Sequence, residues 1–489
     1  MLWGKIQQLA TTQPNKTAVA VIGDYERYSW FDLQQEVMKT SQRLIDSSHK
    51  VVALYADNSP AWIVIDLACQ LAKVTLLPLP LFFSDQQLKH ALKESGASAV
   101  LHHQNDRINA LFQCQINKQL IFKTLNLSLD TIDNATVLLP NGTDKITFTS
   151  GSTGQPKGVC LSTKQQVQVA DALLEATQLD APKHLSILPF STLLENIGGI
   201  YAPLLAGGTI IALPQSALGF NGSNGFDLQR LLETISHHQP NSMILLPELL
   251  MALVNAIEQG WKVPSSLKFI AVGGSKVSPT LLQQAHLAGL PVYEGYGLSE
   301  CSSVVSVNCP NQQKPGSVGK PLSHVSVTIE DDEVVVKGNG FLGYTNEPQT
   351  WLNDNVYTGD LGYFDDHGYL YINGRRKNLL ISSFGRNINP EWVESELLCN
   401  GLLQQCVVFG DAKPYCVALI YPHNSSASED DIQIWIDKVN QSLPDYARIK
   451  KWTKLPQLLT PENKLITANG RPVREKILQH YSTLIEQLY

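Results

Sequence analysis

The chain has 489 residues, too many for one ordinary hydrophobic core, so we expect two or more domains. Hydrophobic residues make up 43% and charged residues 17%, which is typical of a well-buried globular protein and excludes a largely disordered chain. A net charge of -7 argues against a nucleic-acid partner, because such a partner requires a basic surface.

We expect neither a targeting segment nor an integral membrane span. Residues 1–16 lack an apolar core of signal-peptide length, and the apolar stretch 197–214 is interrupted by glycine and proline. None of the eight cysteines belongs to a Cys-x-x-Cys pair, which disfavours a zinc site and indicates buried thiols in a reducing compartment. These features predict a cytoplasmic protein.

Apolar runs alternate with amphipathic stretches up to residue 320. A helix is predicted from Trp30, because Ser29 and Asp32 suit an N-terminal capping box and apolar positions recur on one side. Buried strands are predicted at 51–57, 98–103, 184–190, 242–247 and 267–274. Strands that alternate with helices indicate an α/β fold of mixed, largely parallel sheets.

The pattern becomes richer in strands after residue 320. Residues 325–338 contain two β-rich runs around Asp331 and Asp332, and residues 362–375 repeat this hairpin pattern. After Lys377 the pattern returns to mixed helices and strands. We therefore predict a large N-terminal domain with a β-rich subdomain, 1–376, and a small mobile C-terminal α+β domain, 377–489.

A loop of hydroxyls and glycines, TSGSTGQPKG at 149–158, follows an apolar strand. Its glycines let the backbone approach a ligand closely, its hydroxyls and N–H groups donate hydrogen bonds, and Lys157 adds a positive charge. It is neither a Walker A loop nor a nucleophile elbow, because the defining spacings are absent. The loop suits a polyphosphate. The predicted contacts are Thr149, Ser150, Gly151, Ser152, Thr153, Gly154 and Lys157.

This loop resembles the phosphate-binding loop of the adenylate-forming superfamily of acyl-CoA synthetases, peptide-synthetase adenylation domains and luciferases. Further segments resemble that superfamily's motifs and follow in its order. They are VGGSKVSP at 272–279, EGYGLSE at 294–300, YTGDLGYF at 357–364 and NGRRKNLLISSFGRNINPEWVESEL at 373–397. The resemblance covers essentially the whole chain, and its closest branch is the long-chain fatty-acid–CoA ligases.

The resemblance implies a set of contacts with ATP and Mg²⁺. The nucleotide contacts implied are Gly273, Gly274, Ser275, Tyr296, Gly297, Ser299, Asp360 and Arg375. Among them, Tyr296 would stack on adenine, Ser299 would lie near the α-phosphate and Asp360 would bind the ribose. Glu300 would bind Mg²⁺.

The superfamily's reaction has two steps. A carboxylate first joins the α-phosphate of ATP, and because both groups are anionic, the site must neutralise charge and align them. The small domain then rotates, and a thiol attacks the acyl-AMP. The resemblance implies that Lys377 is the hinge and that Gly385 leaves room for pantetheine in a thiol tunnel.

One position departs from the superfamily's pattern. The superfamily places a catalytic lysine directly after a glycine near the C-terminus, whereas Arg471 follows Gly470 here. Arginine keeps the positive charge but presents a planar fork instead of a point charge. Three alternatives stay open: Arg471 substitutes with slower adenylation, Lys464 reaches in from the same loop, or the first step is impaired and the protein binds or uses preformed acyl-AMP.

The expected acid is a medium- to long-chain fatty acid. Residues 188–210 resemble the acyl-pocket segment of the long-chain branch, with Thr192 in place of the usual histidine and Glu195 retained. No lysine or arginine occurs from 185 to 214, so this segment offers no partner to a second carboxylate. Peripheral membrane contact stays open because fatty acids partition into bilayers, although no amphipathic anchor is recognised.

The expected acceptor is CoA. Ligases that load an acyl carrier protein typically carry an insertion, and the stretch from Glu300 to Thr358 has no obvious place for one. Loading of a carrier protein is the first alternative, and a catalytically weakened acyl-adenylate binder is the second. A luciferase-like oxygenase is the weakest alternative, since no feature requires it.

Overall fold

The structure is a computed structural model that describes residues 2–20, 27–103, 106–112, 125–149, 156–221, 225–424, 426–467 and 470–489. Within these ranges the strands form a nine-stranded, a seven-stranded, a four-stranded and a three-stranded sheet, together with two short two-stranded hairpins. Helices pack on the larger sheets. The predicted fold class, a mixed α/β protein with a β-rich part and a smaller C-terminal unit, is confirmed.

The strands are numbered in chain order. They are β1 (Thr17–Ala20), β2 (Arg27–Ser29), β3 (Val51–Tyr55), β4 (Thr75–Pro78), β5 (Ala99–His102), β6 (Ser128–Thr131), β7 (Lys145–Thr149), β8 (Lys157–Leu161), β9 (Lys183–Ser186), β10 (Thr209–Ala212), β11 (Phe220–Asn221), β12 (Gly225–Phe226), β13 (Ser242–Leu245), β14 (Phe269–Val272), β15 (Val292–Leu298), β16 (Ser303–Val307), β17 (Lys320–Pro321), β18 (Ser326–Glu330), β19 (Glu333–Lys337), β20 (Gly343–Tyr344), β21 (Asn355–Phe364), β22 (Leu370–Arg375), β23 (Leu380–Ile381), β24 (Asn387–Ile388), β25 (Leu403–Phe409), β26 (Cys416–Pro422) and β27 (Ile449–Lys454).

The helices are numbered in the same way. They are α1 (Leu2–Thr12), α2 (Trp30–Asp46), α3 (Pro60–Ala72), α4 (Asp85–Ser95), α5 (Asp106–Phe112), α6 (Thr163–Thr177), α7 (Leu193–Glu195), α8 (Ala202–Leu205), α9 (Leu228–His238), α10 (Pro247–Glu258), α11 (Pro279–Leu287), α12 (Pro390–Leu398), α13 (Glu429–Ser442), α14 (Arg474–His480) and α15 (Ser482–Glu486). A π-helical segment, Asn196–Tyr201, joins α7 to α8.

The predicted capping box at the start of α2 is confirmed. The Ser29 hydroxyl accepts a hydrogen bond from the Asp32 amide, and the Asp32 carboxylate accepts one from the Ser29 amide. These two bonds satisfy N–H groups that the first helical turn leaves without partners. The apolar side of α2 then buries Trp30, Leu33 and Val37 in the main core.

The nine-stranded sheet has the order β17-β16-β15-β14-β13-β9-β10-β1-β2. Strands β15, β14, β13, β9, β10 and β1 run parallel to one another, whereas β16 pairs antiparallel with β15 and β2 antiparallel with β1. The strands predicted at 184–190, 242–247 and 267–274 are β9, β13 and β14, and each ends before the apolar run does. The residues of those runs that follow the strands leave the sheet at its carboxyl edge, where all of them except Phe190 line a cavity.

The seven-stranded sheet has the order β20-β8-β7-β4-β3-β5-β6, with β7, β4, β3 and β5 parallel. The strands predicted at 51–57 and 98–103 are β3 and β5. Strand β7 ends at Thr149, directly before the hydroxyl-rich loop. The large core between the two sheets contains Trp30, Trp62 and Tyr201, all buried.

The β-rich part is the antiparallel sheet β18-β19-β21-β22. Both predicted hairpins are confirmed: Asp331 and Asp332 join β18 to β19 with positive φ, and residues 365–369 join β21 to β22. The C-terminal sheet β25-β26-β27 is covered by its own helices. Two hydrophobic clusters there are formed wholly by residues after 379, so this part has a core of its own.

None of the helices in the described ranges has the length and apolarity required to cross a bilayer. Seven of the cysteines lie in the described part of the chain, and all seven are buried free thiols. The eighth, Cys114, lies outside the described residues.

Candidate active site

The carboxyl edge of the nine-stranded sheet opens onto a cavity of about 2400 Å³. Because β9, β13, β14 and β15 are parallel, the loops that follow them meet at this edge. Residues of the C-terminal part close the other side. The predicted site residues that line the cavity are Thr149, Lys157, Thr192, Gly273, Gly274, Ser275, Tyr296, Gly297, Ser299, Glu300, Asp360, Arg375 and Arg471.

The predicted phosphate loop joins the antiparallel strands β7 and β8, and Thr149 pairs with Lys157 at its base. Ser150, Gly151, Ser152, Thr153 and Gly154 lie outside the described residues. The Lys157 ammonium lies 2.8 Å from Glu347 Oε1 and 4.7 Å from the centre of the Tyr344 ring. The loop's positive charge is therefore held at the cavity wall by a carboxylate and an aromatic face.

The turn between β15 and β16 carries Ser299 and Glu300. A side chain at Gly297 would clash with the backbone, because its Cβ would lie 1.8 Å from the Ser303 carbonyl oxygen. Glu300 Oε1 accepts a 2.9 Å hydrogen bond from the Tyr344 hydroxyl. In the described part of the chain its other oxygen, Oε2, has no hydrogen-bond partner and is available to a ligand.

That arrangement fits a magnesium ion. Mg²⁺ prefers oxygen ligands and is usually held by one or two carboxylates together with water and substrate phosphates. Glu300 supplies one oriented carboxylate whose second oxygen is unpartnered among the described residues, in the same cavity as the base of the predicted phosphate loop.

Asp360 is a buried residue of the cavity lining, and both of its carboxylate oxygens have partners. Oδ1 lies 2.9 Å from Arg375 Nε, and Oδ2 accepts a 2.7 Å hydrogen bond from the Tyr296 hydroxyl. Burial raises the pKa of Asp360, and Arg375 and the Tyr296 hydrogen bond oppose that shift. The residues predicted to bind adenine, ribose and the nucleotide's charge are thus bonded to one another.

Arg471 reaches the same region from the C-terminal part. Its Nη2 donates a 2.6 Å hydrogen bond to the carbonyl oxygen of Gly274. Burial and the neighbouring Arg375 lower the pKa of Arg471, while Asp360 and Glu300 are among the acidic groups that oppose this. Two guanidinium groups therefore lie close together in the cavity, which favours an anionic ligand.

Lys464 does not line the cavity. It occupies an exposed turn with φ of 61°, and its amide donates to the Pro461 carbonyl. The structure therefore gives the alternative based on Lys464 no support.

The apolar end of the cavity lies between α6, β13 and the segment 193–203. Its lining includes Leu173, Leu174, Leu194, Gly198, Ala202 and Ile244. Between positions 173 and 269, the described lining residues include no lysine or arginine, and Glu248 is their one carboxylate. Thr192 lines the cavity, and its hydroxyl donates a 2.6 Å hydrogen bond to the Pro189 carbonyl.

Glu195, the other predicted acyl-pocket residue, lies behind the wall. It is fully buried, with Oε1 3.0 Å from His184 Nε2 and Oε2 accepting from the Leu188 amide. Since both oxygens have protein partners, this carboxylate shapes the wall and does not face the chamber.

The predicted hinge and tunnel residues lie at the junction with the C-terminal part. Lys377 lies in an exposed 3-10 turn, Arg376–Asn378, where partial desolvation of its amine and the nearby charge of Arg375 lower its pKa. Gly385 forms the tip of the β23–β24 hairpin with φ of 72°, next to the exposed Phe384. Neither residue lines the cavity in this arrangement.

Two contributors were not singled out from the sequence. Tyr344 orients Glu300 and packs against Lys157, yet it lies outside every recognised motif. Glu294 begins the EGYGLSE motif and lines the cavity, where burial raises its pKa to about 7. A carboxyl residue inside a predicted nucleotide-binding motif was the available signal for Glu294.

Family comparison identifies the chain. The family model for AMP-binding enzymes matches residues 6–343, more than half of the chain. The chain belongs to the AMP-binding enzyme family. The model for that family's C-terminal domain matches residues 377–489. The resemblance to adenylate-forming enzymes seen in the sequence is confirmed.

Members of this family that resemble the chain differ in their acids. The 2-succinylbenzoate–CoA ligase of Bacillus pumilus (strain SAFR-032) is 27% identical over 425 residues, which cover 80% of this chain and 82% of that protein. The long-chain-fatty-acid–CoA ligase FadD15 of Mycobacterium bovis (strain ATCC BAA-935 / AF2122/97) is 24% identical over 540 residues, covering 90% and 88%. The solved structure of the anthranilate CoA ligase AuaEII with anthranoyl-AMP has the same fold, with a TM-score of 0.81, 19% identity and coverage of 98% and 96%.

Proposed function

We propose that the chain is an acid–thiol ligase that activates a carboxylic acid with ATP and transfers the acyl group to CoA. The observation that carries this proposal is the meeting of Glu300, Asp360, Arg375 and Arg471 in a cavity that continues into an apolar chamber. Membership of the AMP-binding family and the CoA ligases among its relatives support the same reaction.

In the first step, the chain's residues neutralise charge and align the reacting groups. Arg375 and Arg471 contribute two guanidinium groups, and Lys157 adds a third positive charge at the phosphate loop. Mg²⁺ bound at Glu300 would supply further positive charge to the phosphates. Tyr296 and Asp360 would hold adenine and ribose, so that the acid carboxylate can approach the α-phosphate opposite the departing pyrophosphate.

In the second step, the C-terminal part would rotate about Lys377. Rotation would withdraw Arg471 and bring the hairpin with Gly385 to the acyl-AMP. A pantetheine thiol would then attack the acyl carbon and displace AMP. A glycine at this hairpin tip suits the close approach of a ligand, because no side chain projects from it.

The proposed acid is a medium- to long-chain fatty acid. The absence of lysine and arginine among the described lining residues from 173 to 269 disfavours an acid with a second carboxylate, such as 2-succinylbenzoate. Apolar residues on α6 and the segment 193–203 favour an alkyl chain. The 24% identity with FadD15 is consistent with this choice.

A weakened acyl-adenylate binder is the second candidate, because Arg471 occupies the position of the superfamily's catalytic lysine. Its guanidinium already donates to the Gly274 carbonyl, a contact that does not help to bridge the two substrates. A carrier protein as acceptor is a third candidate.

Pyrophosphate release tests the proposal. Purified protein, ATP and Mg²⁺ are combined with a panel of fatty acids, 2-succinylbenzoate and anthranilate, each with and without CoA. We expect release that depends on a fatty acid and is stimulated by CoA. Release with only the aromatic acids would overturn the fatty-acid assignment, and thioester formation with a carrier protein but not with CoA would overturn the acceptor. No release, together with tight binding of a fatty acyl-AMP analogue, would favour the binder.

A further inference from the structure

A buried ionic network lies behind the wall of the apolar chamber, and its residues are not part of the cavity lining. The Lys145 ammonium and the Asp66 carboxylate are 2% and 1% exposed, and Nζ lies 2.8 Å from Oδ1. Asp66 Oδ2 accepts hydrogen bonds from Asn196 Nδ2 over 2.9 Å and from the Tyr201 hydroxyl over 2.7 Å. Lys145 donates to the same tyrosine over 2.8 Å and also to Asn196.

The network explains the local π-helix. Asn196 and Tyr201 are the two ends of the π-helical segment and lie five residues apart. A π-helix repeats by its i to i+5 hydrogen bond, so it brings these two positions onto one side, whereas an α-helix would rotate them apart. Both side chains can then reach Lys145 and Asp66 together.

The other side of the same segment is the chamber wall. Leu194, Gly198 and Ala202 line the chamber, while Asn196 and Tyr201 face the network. The lysine itself lies at the start of β7, which runs from Lys145 to Thr149 and leads directly into the predicted phosphate loop. One buried group therefore connects the wall that would contact the acid to the strand that carries the loop for ATP.

We propose that Lys145 is a positioning residue that fixes the acid-binding wall relative to the phosphate loop through Asp66, Asn196 and Tyr201. This inference rests on the proposed acid activation but not on which acid is used. Reaction of two anionic groups requires their alignment within fractions of an ångström, and a displacement of about 1 Å can cost about a hundredfold in rate. A network that joins the two binding elements directly controls that alignment.

Efficient packing of the core does not explain why the buried positions 145 and 66 hold a lysine and an aspartate. A lysine and an aspartate in a core must give up their hydration, and apolar residues of similar volume are often as stable or more stable. Burial accordingly lowers the pKa of Lys145, and Asp66 opposes that shift. Ionic and hydrogen-bonded groups, unlike apolar ones, fix direction and register, which is what the wall segment requires.

The double substitution Lys145→Met with Asp66→Asn tests the proposal without leaving an unpaired buried charge. We expect kcat/KM for the acid to fall by about tenfold to a hundredfold, with KM for ATP changed by less than about twofold. Amide hydrogen exchange of residues 196–203 should become faster. Tyr201→Phe, which removes only one hydroxyl, is a milder second variant and should shift the same quantities in the same direction.

The matched control is the buried pair His102–Asp130, with a 2.8 Å separation, in the same seven-stranded sheet but away from the cavity. His102→Gln with Asp130→Asn should lower the melting temperature while leaving the acid parameters and the 196–203 amides unchanged. The proposal would be overturned if the Lys145→Met, Asp66→Asn variant changed the kinetic parameters for the acid and for ATP by the same factor. It would also be overturned if amide hydrogen exchange at residues 196–203 became no faster. If the wild-type protein releases no pyrophosphate with any acid, the proposed function fails, and the exchange experiment still decides the role of Lys145.

Discussion

Arg471 is the residue on which the proposed adenylation step would depend most. Its guanidinium group donates a hydrogen bond to the Gly274 carbonyl and lies near Arg375, Asp360 and Glu300. A lysine at this position would present one compact charge with three rotatable donors, which can follow the α-phosphate through the reaction. Arginine therefore keeps the positive charge, but its planar donor group adjusts less readily to the changing position of the α-phosphate.

Substitution Arg471→Lys is expected to increase the rate of acid-dependent pyrophosphate release by roughly threefold to tenfold, equivalent to about 1 kcal/mol of barrier. The measurement is single-turnover adenylation at saturating ATP. Lys464→Ala is the control and should leave that rate unchanged, because Lys464 occupies an exposed turn outside the cavity. An unchanged or reduced rate in Arg471→Lys would contradict the interpretation of Arg471 as a slower substitute for lysine.

Glu294 gives a prediction about pH. Burial raises its pKa from the ordinary value of 4.5 to about 7, although Lys276 and the Val277 amide oppose this. A carboxyl group whose pKa is higher in the folded than in the unfolded protein holds more protons when folded. The free energy of unfolding therefore decreases as pH rises from 4.5 to about 7 and levels off above that range.

Substitution Glu294→Gln removes this dependence. We expect little difference in stability from the wild type near pH 5 and a gain on the order of 1–3 kcal/mol near pH 8, measured by thermal unfolding across that range. Glu330→Gln is the control, since Lys337 lowers the pKa of that carboxyl and no gain at high pH should follow. A gain in Glu294→Gln that does not change with pH would contradict the assignment.

Single residues differ in how far the sequence predicts them. Glu300, Asp360, Arg375 and Arg471 were predicted from motifs, and the fold brings them to one cavity. Glu195 was predicted at the acyl pocket, but its partner His184 holds it behind the wall. Tyr344 escaped prediction because a tyrosine in a short strand carries no motif. Its role depends on contacts with Glu300 and Lys157, which lie in distant parts of the chain.

Secondary-structure elements were predicted well where local chemistry decides them. The capping box of α2 and the Asp331–Asp332 turn rely on residues within a few positions of each other. The end of β9 was placed too late, because Ile187 and Leu188 continue the apolar pattern after the strand has ended. Those residues are buried by tertiary packing and not by the sheet.

The π-helical segment lay beyond prediction. The apolar residues from 197 to 204 fit an ordinary core helix, and the extra residue per turn arises from partners on α3 and β7. Likewise, Lys145 in an apolar strand carries no local signal that it will be buried.

Gly198 tests the role of this segment in selecting the acid. It faces the chamber, and an added Cβ would lie 2.9 Å from the end of the Ile244 side chain. Gly198→Val should narrow the chamber and lower kcat/KM for the longest fatty acids by about tenfold relative to the shortest active ones. The measurement is kcat/KM across an acid series.

The control for Gly198→Val is Gly4→Val in α1, where an added Cβ has no neighbour within 4 Å. It should leave the chain-length profile unchanged. An equal loss for all acids in Gly198→Val would indicate damage to folding and would contradict a chamber at this position.

At the scale of the whole molecule, two units meet over one cavity. The C-terminal part has its own core, yet Arg471 and Arg474 extend from it to the cavity lining. The domain boundary at residues 376 and 377 and the hinge at Lys377 stay predictions. The match of the C-terminal-domain family model to residues 377–489 agrees with the predicted boundary.

Lys377→Pro tests the hinge. Proline fixes φ and restricts the preceding residue, so rotation about this position should be blocked. We expect thioester formation to fall by about a hundredfold or more, while adenylation stays within about threefold of the wild type. Adenylation and thioester formation are measured separately. Lys377→Ala is the control and should retain the rates of both half-reactions. Equal loss of both half-reactions would argue against a hinge at this residue.

Under the proposed two-step reaction, the hydrogen bond from Arg471 to the Gly274 carbonyl would also limit turnover. It would act as a latch that holds the two units together for adenylation and would have to break before thioester formation. A charge-assisted hydrogen bond contributes about 1.5–3 kcal/mol, and each 1.4 kcal/mol changes a rate about tenfold. A latch that holds more firmly favours the adenylate, and a looser one favours its departure as thioester. In the proposed reaction, arginine at this position would therefore set how long each cycle keeps its activated intermediate sealed from water.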